Sequence, residues 1–280
     1  MNFLITGGAG SVGRDLTALL LEKGHRVRVL DKRAEAFAPL DDKKPELIQG
    51  SLEDSRLVRE ALRGMDTVIH LAWSFSDDPI ELLESDLKGH VVLLDACVEA
   101  KVSRLFYAST AVVYGKPVQA PITEESPCLV EEARKPFYAV AKQTAEKLAL
   151  TYWRTKGLPV TVFRFWWSYG KKIGGRHLRD MIARALNGQP LMVPEGAGGS
   201  FLDHDDFGSA MNGPIGNIEQ IRFRKNTLQV QARFEIQADA WDHCVASRNL
   251  SASAAATKSG TKQSTRPPSR ATSRTIELFR

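Results

Sequence analysis

Cysteine is scarce and poorly placed for a covalent framework. The chain of 280 residues holds three, Cys97, Cys128 and Cys244, odd in number and far apart. That excludes a disulfide scaffold and gives no spacing for a metal cluster, so no metal site is expected. Long apolar runs are also missing; none approaches the ~20 residues needed to cross a bilayer, and no membrane association is expected. Met1 leads straight into a strand-like segment without a signal-peptide pattern, so the expected location is cytoplasmic. Strong charge is absent from most of the sequence. The net charge is +5, but residues 212–280 hold 11 Lys or Arg and 5 Asp or Glu, which leaves 27 basic and 28 acidic residues in 1–211. The basicity belongs to the tail and says nothing about an active site.

What is present begins at the N-terminus. An apolar run, Phe3-Leu4-Ile5, leads into Thr6-Gly7-Gly8-Ala9-Gly10-Ser11-Val12-Gly13, and a helical spacing of Val12, Leu16, Leu19 and Leu20 follows until Gly24. Strand, glycine turn and helix form the context of a dinucleotide-binding loop. Glycines let the backbone turn sharply and approach a pyrophosphate, whose charge sits on the helix N-terminus. A second strand, Val27 to Leu30, ends in Asp31, where an acid holds the adenosine ribose hydroxyls. The same acid repels a 2′-phosphate, so NAD is expected ahead of NADP, although Lys32 and Arg33 soften the preference.

Strand-like and helical stretches alternate through residue 165. Strands are predicted at 2–6, 26–30, 46–49, 67–71, 104–109 and 160–165, and helices at 12–23, 54–63, 80–100 and 138–156. This pattern predicts an α/β fold, a doubly wound parallel sheet of Rossmann type. Residues 1–170 would form the nucleotide-binding domain. Residues 171–211, with a helix at 177–186, a short strand at 190–193 and an acidic turn, would form a small, incomplete substrate lobe.

Tyr138 and Lys142 open the fourth helix at i and i+4, so phenol and ammonium share a face. An ammonium beside a tyrosine lowers its pKa from about 10, which prepares it for proton exchange with a substrate hydroxyl. Alone, the pair reads more readily as an incidental amphipathic start than as a catalytic pair. The fifth strand ends in Ser109-Thr110, a hydroxyl at the strand end where ligands gather in doubly wound sheets.

Taken together these segments resemble the extended short-chain dehydrogenase/reductase family, in its NAD-dependent epimerase/dehydratase branch. The residues that carry the resemblance are Thr6–Gly13, His70-Leu71-Ala72, Ser109-Thr110 with Val113-Tyr114-Gly115, Tyr138 with Lys142, Arg164, Tyr169-Gly170, Phe201 and Asp205-Asp206. The resemblance implies Tyr138 as acid/base, Lys142 on the nicotinamide ribose and Thr110 on the reacting oxygen. It implies Gly7, Gly10, Ser11, Val12 and Gly13 along the pyrophosphate and Asp31 on the ribose. Ser51 and Leu52 would lie near the adenine. Leu71, Ala72, Trp73 and Trp166 would lie along the cofactor, and Tyr114 and Trp167 would face the substrate.

Departures from the family pattern narrow the activity. Ser51 stands where Asp is usual, Asp86 where Asn is common, and Trp167 where many members carry a sugar-nucleotide-contacting Asn. Ala111 and Val112 occupy the positions where 4,6-dehydratases of the family carry Asp-Glu, which argues against water elimination. The resemblance therefore implies an NAD-dependent sugar-nucleotide 4-epimerase-like enzyme. A dehydrogenase or reductase of a ketone or alcohol is the alternative, favoured by the Trp166-Trp167 pair. A nucleotide binder with little turnover is a third. A nucleotide sugar is the implied partner, and helices 80–100 and 138–156 would form a homodimer interface.

The tail resembles nothing in that family. Residues 228–238 alternate apolar and polar as a strand would, and 245–275 contain no acid and no apolar period, so 245–280 are expected to be disordered. The abrupt change after Met211 is what a shifted reading frame or fragment boundary would produce; a divergent extension is the alternative. A nucleic-acid-binding arm is disfavoured, because aromatics are not interleaved with the basic residues after Trp241.

Overall fold

A computed structural model of the chain describes residues 1–34, 37, 44–118, 122–165, 167–170, 176–189 and 201–204. The predicted elements at 190–193 and 228–238, the Asp205-Asp206 turn, Trp166 and the 245–280 segment lie outside the described residues.

Six strands form one parallel sheet: β1 (Asn2–Thr6), β2 (Arg26–Asp31), β3 (Glu46–Gln49), β4 (Thr67–His70), β5 (Arg104–Thr110) and β6 (Val160–Phe165), in the order β3-β2-β1-β4-β5-β6. Central strands are apolar throughout because helices cover both faces. The two-residue period sorts β1 cleanly. Phe3 and Ile5 join Leu16 and Leu20 of helix α1 (Ser11–Glu22), whereas Leu4 joins Val58 and Leu62 of α2 (Ser55–Leu62) on the other face. The one buried cation of β2, Arg28, reaches the C-terminal end of α2 and donates to the carbonyls of Ala61 and Arg63 at 2.7 and 3.0 Å. A cation there satisfies orphan carbonyls at the negative end of the helix.

Strand order reverses between β1 and β4, and the loops leaving those strands part to opposite faces, which opens a crevice at their carboxyl ends. The helical run expected at 80–100 exists but is not uniform. A short α3 (Pro79–Glu81) passes through a π-helical stretch (Leu82–Leu87) into α4 (Lys88–Glu99). Helix α5 (Pro136–Lys156) starts two residues earlier than the sequence suggests, with proline at its first position, where a missing N–H costs nothing.

One arrangement was not legible in the sequence. After β6, β7 (Trp167–Tyr169) leaves the main sheet and pairs in parallel with β8 (Phe201–Asp203). Residue 176 begins α6 (Arg176–Leu186). His204, next after β8, is buried against α1, its Nδ1 2.5 Å from Asp15 Oδ2. A Cβ on Gly170 would lie 1.9 Å from that carboxylate and 2.3 Å from the imidazole, so only glycine admits the pair. No helix among the described residues is long and apolar enough to cross a membrane.

Candidate functional site

The glycine loop closes the amino end of the crevice. Gly7 has a φ of +72°, and its amide donates to Leu30 O at 2.9 Å. A Cβ on it would stand 2.6 Å from the Ala72 backbone, so Leu71 and Ala72, leaving β4, run directly against the loop. A Cβ on Gly13 would lie 2.5 Å from Gly8 Cα, which fixes the close approach of α1 to the turn. Gly10 caps α1 without any side-chain hydrogen bond, so the first amides of the helix, at Ser11, Val12 and Gly13, have no intrahelical acceptors, as an anion-binding helix start requires. Asp31 is pinned beside this loop. Its Oδ2 accepts from Ala9 N at 3.0 Å and its Oδ1 from Arg33 N at 2.9 Å, and each oxygen retains lone pairs for a further donor. These glycine contacts and this carboxylate fit a dinucleotide.

Ser51 does not face outward alone. Its hydroxyl donates to Glu53 Oε1 at 3.0 Å and accepts the Glu53 amide at 3.2 Å. Leu52 packs on Gly89, where a Cβ would come within 2.9 Å of it.

The proposed reacting groups converge at the carboxyl end of β5. Thr110 and Tyr138, 28 positions apart in sequence, come near enough for the threonine hydroxyl to pull the phenol's pKa down. Thr110 Oγ1 also accepts Val112 N at 3.2 Å and so caps the short turn Ala111–Tyr114. Tyr138 is set by both of its ends: its amide donates to Asp77 Oδ1 at 2.7 Å, and its ring stacks on Phe75 with centroids 6.2 Å apart. One turn on, Lys142 is buried; its Nζ donates to Ala108 O at 2.9 Å and lies 4.0 Å from the centroid of Trp73.

The electrostatics correct one expectation. Tyr138 is not lowered by Lys142. Burial and then the negative charge of Asp86 push it up to about 12, with Thr110 opposing them. Lys142 is itself pushed down to about 7 by burial, against the pull of Asp86 and Glu146. The ammonium is spent on the Ala108 carbonyl and the Trp73 face rather than on the phenol.

Several residues here carried no signal in the sequence. Asp86, noted only as a departure, sits in the π-helical stretch, where such irregularities often mark functional sites. On the buried face of α5, Glu146 gathers Ser109, which donates to it, and Arg164, whose Nη2 reaches it at 2.6 Å. Arg164 Nη1 donates to the Tyr114 hydroxyl at 3.0 Å. Tyr114, expected to face the substrate, is 1% exposed and stands in this buried network. Below Trp73, His70 and His90 stack with centroids 5.1 Å apart; burial holds His90 down to about 3 and His70 well below the usual imidazole range. His70 Nδ1 meets Thr6 Oγ1 at 2.7 Å, so it ties β4 to the start of the loop. Trp167 is placed by its backbone in β7.

Comparison with known proteins agrees with this fold. The NAD dependent epimerase/dehydratase family matches residues 3–211. A UDP-N-acetyl-alpha-D-glucosaminuronate decarboxylase of Bacillus cytotoxicus is 32% identical over 205 residues, 68% of this chain and 63% of that protein. A UDP-glucose 4-epimerase of Halalkalibacterium halodurans is 32% identical over 206 residues, 68% of this chain and 60% of that one. The chain thus spans less than two thirds of the length of these relatives. Among solved structures, the Bordetella bronchiseptica enzyme WbmG in complex with NAD superposes with a TM-score of 0.64 at 28% identity, covering 76% of this chain and 67% of WbmG. With that family model matched over residues 3–211, the chain belongs to the NAD dependent epimerase/dehydratase family.

Proposed function

We propose that the chain is an NAD-dependent enzyme acting on a nucleotide sugar by reversible oxidation at a carbinol carbon, as a 4-epimerase does. The gathering of Thr110, Tyr138 and Lys142 at the carboxyl end of β5 supports this reading. Two neighbouring hydroxyls suit the holding of one substrate oxygen and the exchange of its proton. The first turn of α1 holds the pyrophosphate, Asp31 the adenosine ribose, and Lys142 the nicotinamide ribose. When bound, NAD supplies the hydride acceptor and a positive charge. Tyr138 takes the proton of the substrate hydroxyl and later returns it, and Thr110 orients the same oxygen. Ala111, fully buried, and Val112 offer no carboxylate for elimination, so no dehydration step is assigned.

The partner proposed is a nucleotide sugar, with a second copy of the chain as a further one. Ile80 and Leu83 in the 79–99 helical run, and Val140, Leu150 and Trp153 on α5, hold large apolar surface in solvent, which suits a helical dimer interface. Sedimentation at micromolar concentration should give a dimer mass; a monomer removes that interface.

The decisive experiment denatures the purified protein and identifies any released dinucleotide, then incubates the native protein with UDP-glucose. Release of NAD and formation of UDP-galactose without added cofactor support epimerisation. Net NADH production favours a dehydrogenase. Failure to retain or bind NAD overturns the reading.

A further inference from the structure

Lys32 follows the ribose-anchoring Asp31 at the carboxyl end of β2. A basic residue in that neighbourhood is what a 2′-phosphate requires. Yet its ammonium is already engaged. Nζ donates to Glu53 Oε1 at 3.2 Å and to Ser85 Oγ at 3.0 Å. Glu53 Oε1 also accepts Ser85 Oγ at 2.8 Å and Ser51 Oγ at 3.0 Å, so one carboxylate oxygen gathers three donors from three separate elements. Gln49 Nε2 reaches the Lys32 carbonyl at 3.4 Å and tethers the same turn. The Ser85 and Lys32 hydrogen bonds hold the Glu53 carboxyl below its ordinary range, so it stays ionised at neutral pH. A lone exposed ion pair contributes little, but a four-residue network fixes a side chain in place.

We propose that Glu53 is a specificity-determining residue: it draws Lys32 onto Ser85, away from a 2′-phosphate, and leaves Asp31 to select NAD over NADP. The inference rests on the dinucleotide reading of the crevice. Asp31 alone repels the phosphate, and a free lysine one residue away would offset that repulsion. Glu53 keeps the offset from operating.

The test titrates NAD+ and NADP+ separately into wild type, Glu53→Ala, Lys32→Gln and the double variant at low ionic strength, followed by tryptophan fluorescence. In Glu53→Ala the Kd ratio of NADP+ to NAD+ should fall by about tenfold, the worth of one charge-assisted hydrogen bond. Lys32→Gln alone should leave the wild-type ratio unchanged, because that cation is already engaged. The double variant should lose the gain. An unchanged ratio in Glu53→Ala overturns the proposal. So does a gain that survives in the double variant, since removal of a negative charge would then suffice. If wild type binds NAD+ and only these ratios disagree, the role of Glu53 fails alone. If wild type binds neither dinucleotide, the reading of the crevice fails and the proposal falls with it.

Discussion

Asp86 accepts both hydrogen bonds that Ser74 can offer toward it, from the amide at 2.9 Å and from the hydroxyl at 2.5 Å. The pair joins the segment leaving β4 to the π-helical stretch. It also fixes a negative charge within electrostatic reach of Tyr138 and Lys142, and raises the pKa of both.

Asp86→Asn keeps an acceptor for Ser74 and removes the charge. Tyr138 and Lys142 should both titrate at lower pH. The basic form of Tyr138 then becomes available earlier, so substrate oxidation near pH 7 should speed up by about two- to tenfold. A pH–rate profile checks this; a limb that does not move toward acid removes Asp86 from the electrostatics of the site.

Tyr138→Phe preserves the stack on Phe75 but deletes the transferable proton. Turnover should drop by about 10²–10⁴ while NAD binding and melting temperature hold. Thr110→Val should cost about tenfold, since one orienting hydrogen bond is lost, together with a modest stability loss from the uncapped Val112 amide. Full turnover in Tyr138→Phe would refute the assignment.

Lys142 makes stability depend on alkaline pH. Its folded pKa, about 7, lies below the ordinary 10.5. The unfolded chain therefore binds more protons between those values, and unfolding free energy rises with pH across that window. The contribution is fully present above about 10.5 and lost as pH falls toward 7, by a few kcal/mol. Urea unfolding at pH 7 and pH 9.5 should show this gain in wild type and lose it in Lys142→Met. Equal slopes in the two proteins contradict the shift.

Glu146→Gln should be among the most disruptive single changes. It leaves the Arg164 guanidinium, 13% exposed, without its counter-charge. Breaking a buried pair from one side costs about 3–5 kcal/mol, and a loss of about 10 °C in Tm is expected. Glu146→Leu combined with Arg164→Met should recover much of it. If Glu146→Gln melts like wild type, the network is not structural.

Much of this was written locally in the chain. The apolar β1, the glycine turn and the i, i+4 spacing of Tyr138 and Lys142 are short-range patterns, and the main sheet follows from their alternation. Thr110 could be placed because strand ends are where such folds bind ligands. Three things were not readable. The π-helical stretch changes register without changing composition. β7 and β8 are three residues each, too short for any period to register. The direction of the Tyr138 shift depends on burial and on Asp86, both products of tertiary packing. For the same reason the pairing of Glu146 with Arg164, 18 positions apart on a helix and a strand, is not visible until folding brings them together.

The Asp15–His204 pair spans 189 positions of sequence, more than any other side-chain hydrogen bond in the described residues. Closing so long a loop offers little return until the strands between have assembled, so this contact belongs late on the folding path. The six-stranded sheet and the β7–β8 ribbon should then open as separate cooperative units, with the acid–imidazole clasp between them. Amide exchange in β8 should occur through opening of the clasp, at a lower free energy than exchange in β1 or β4.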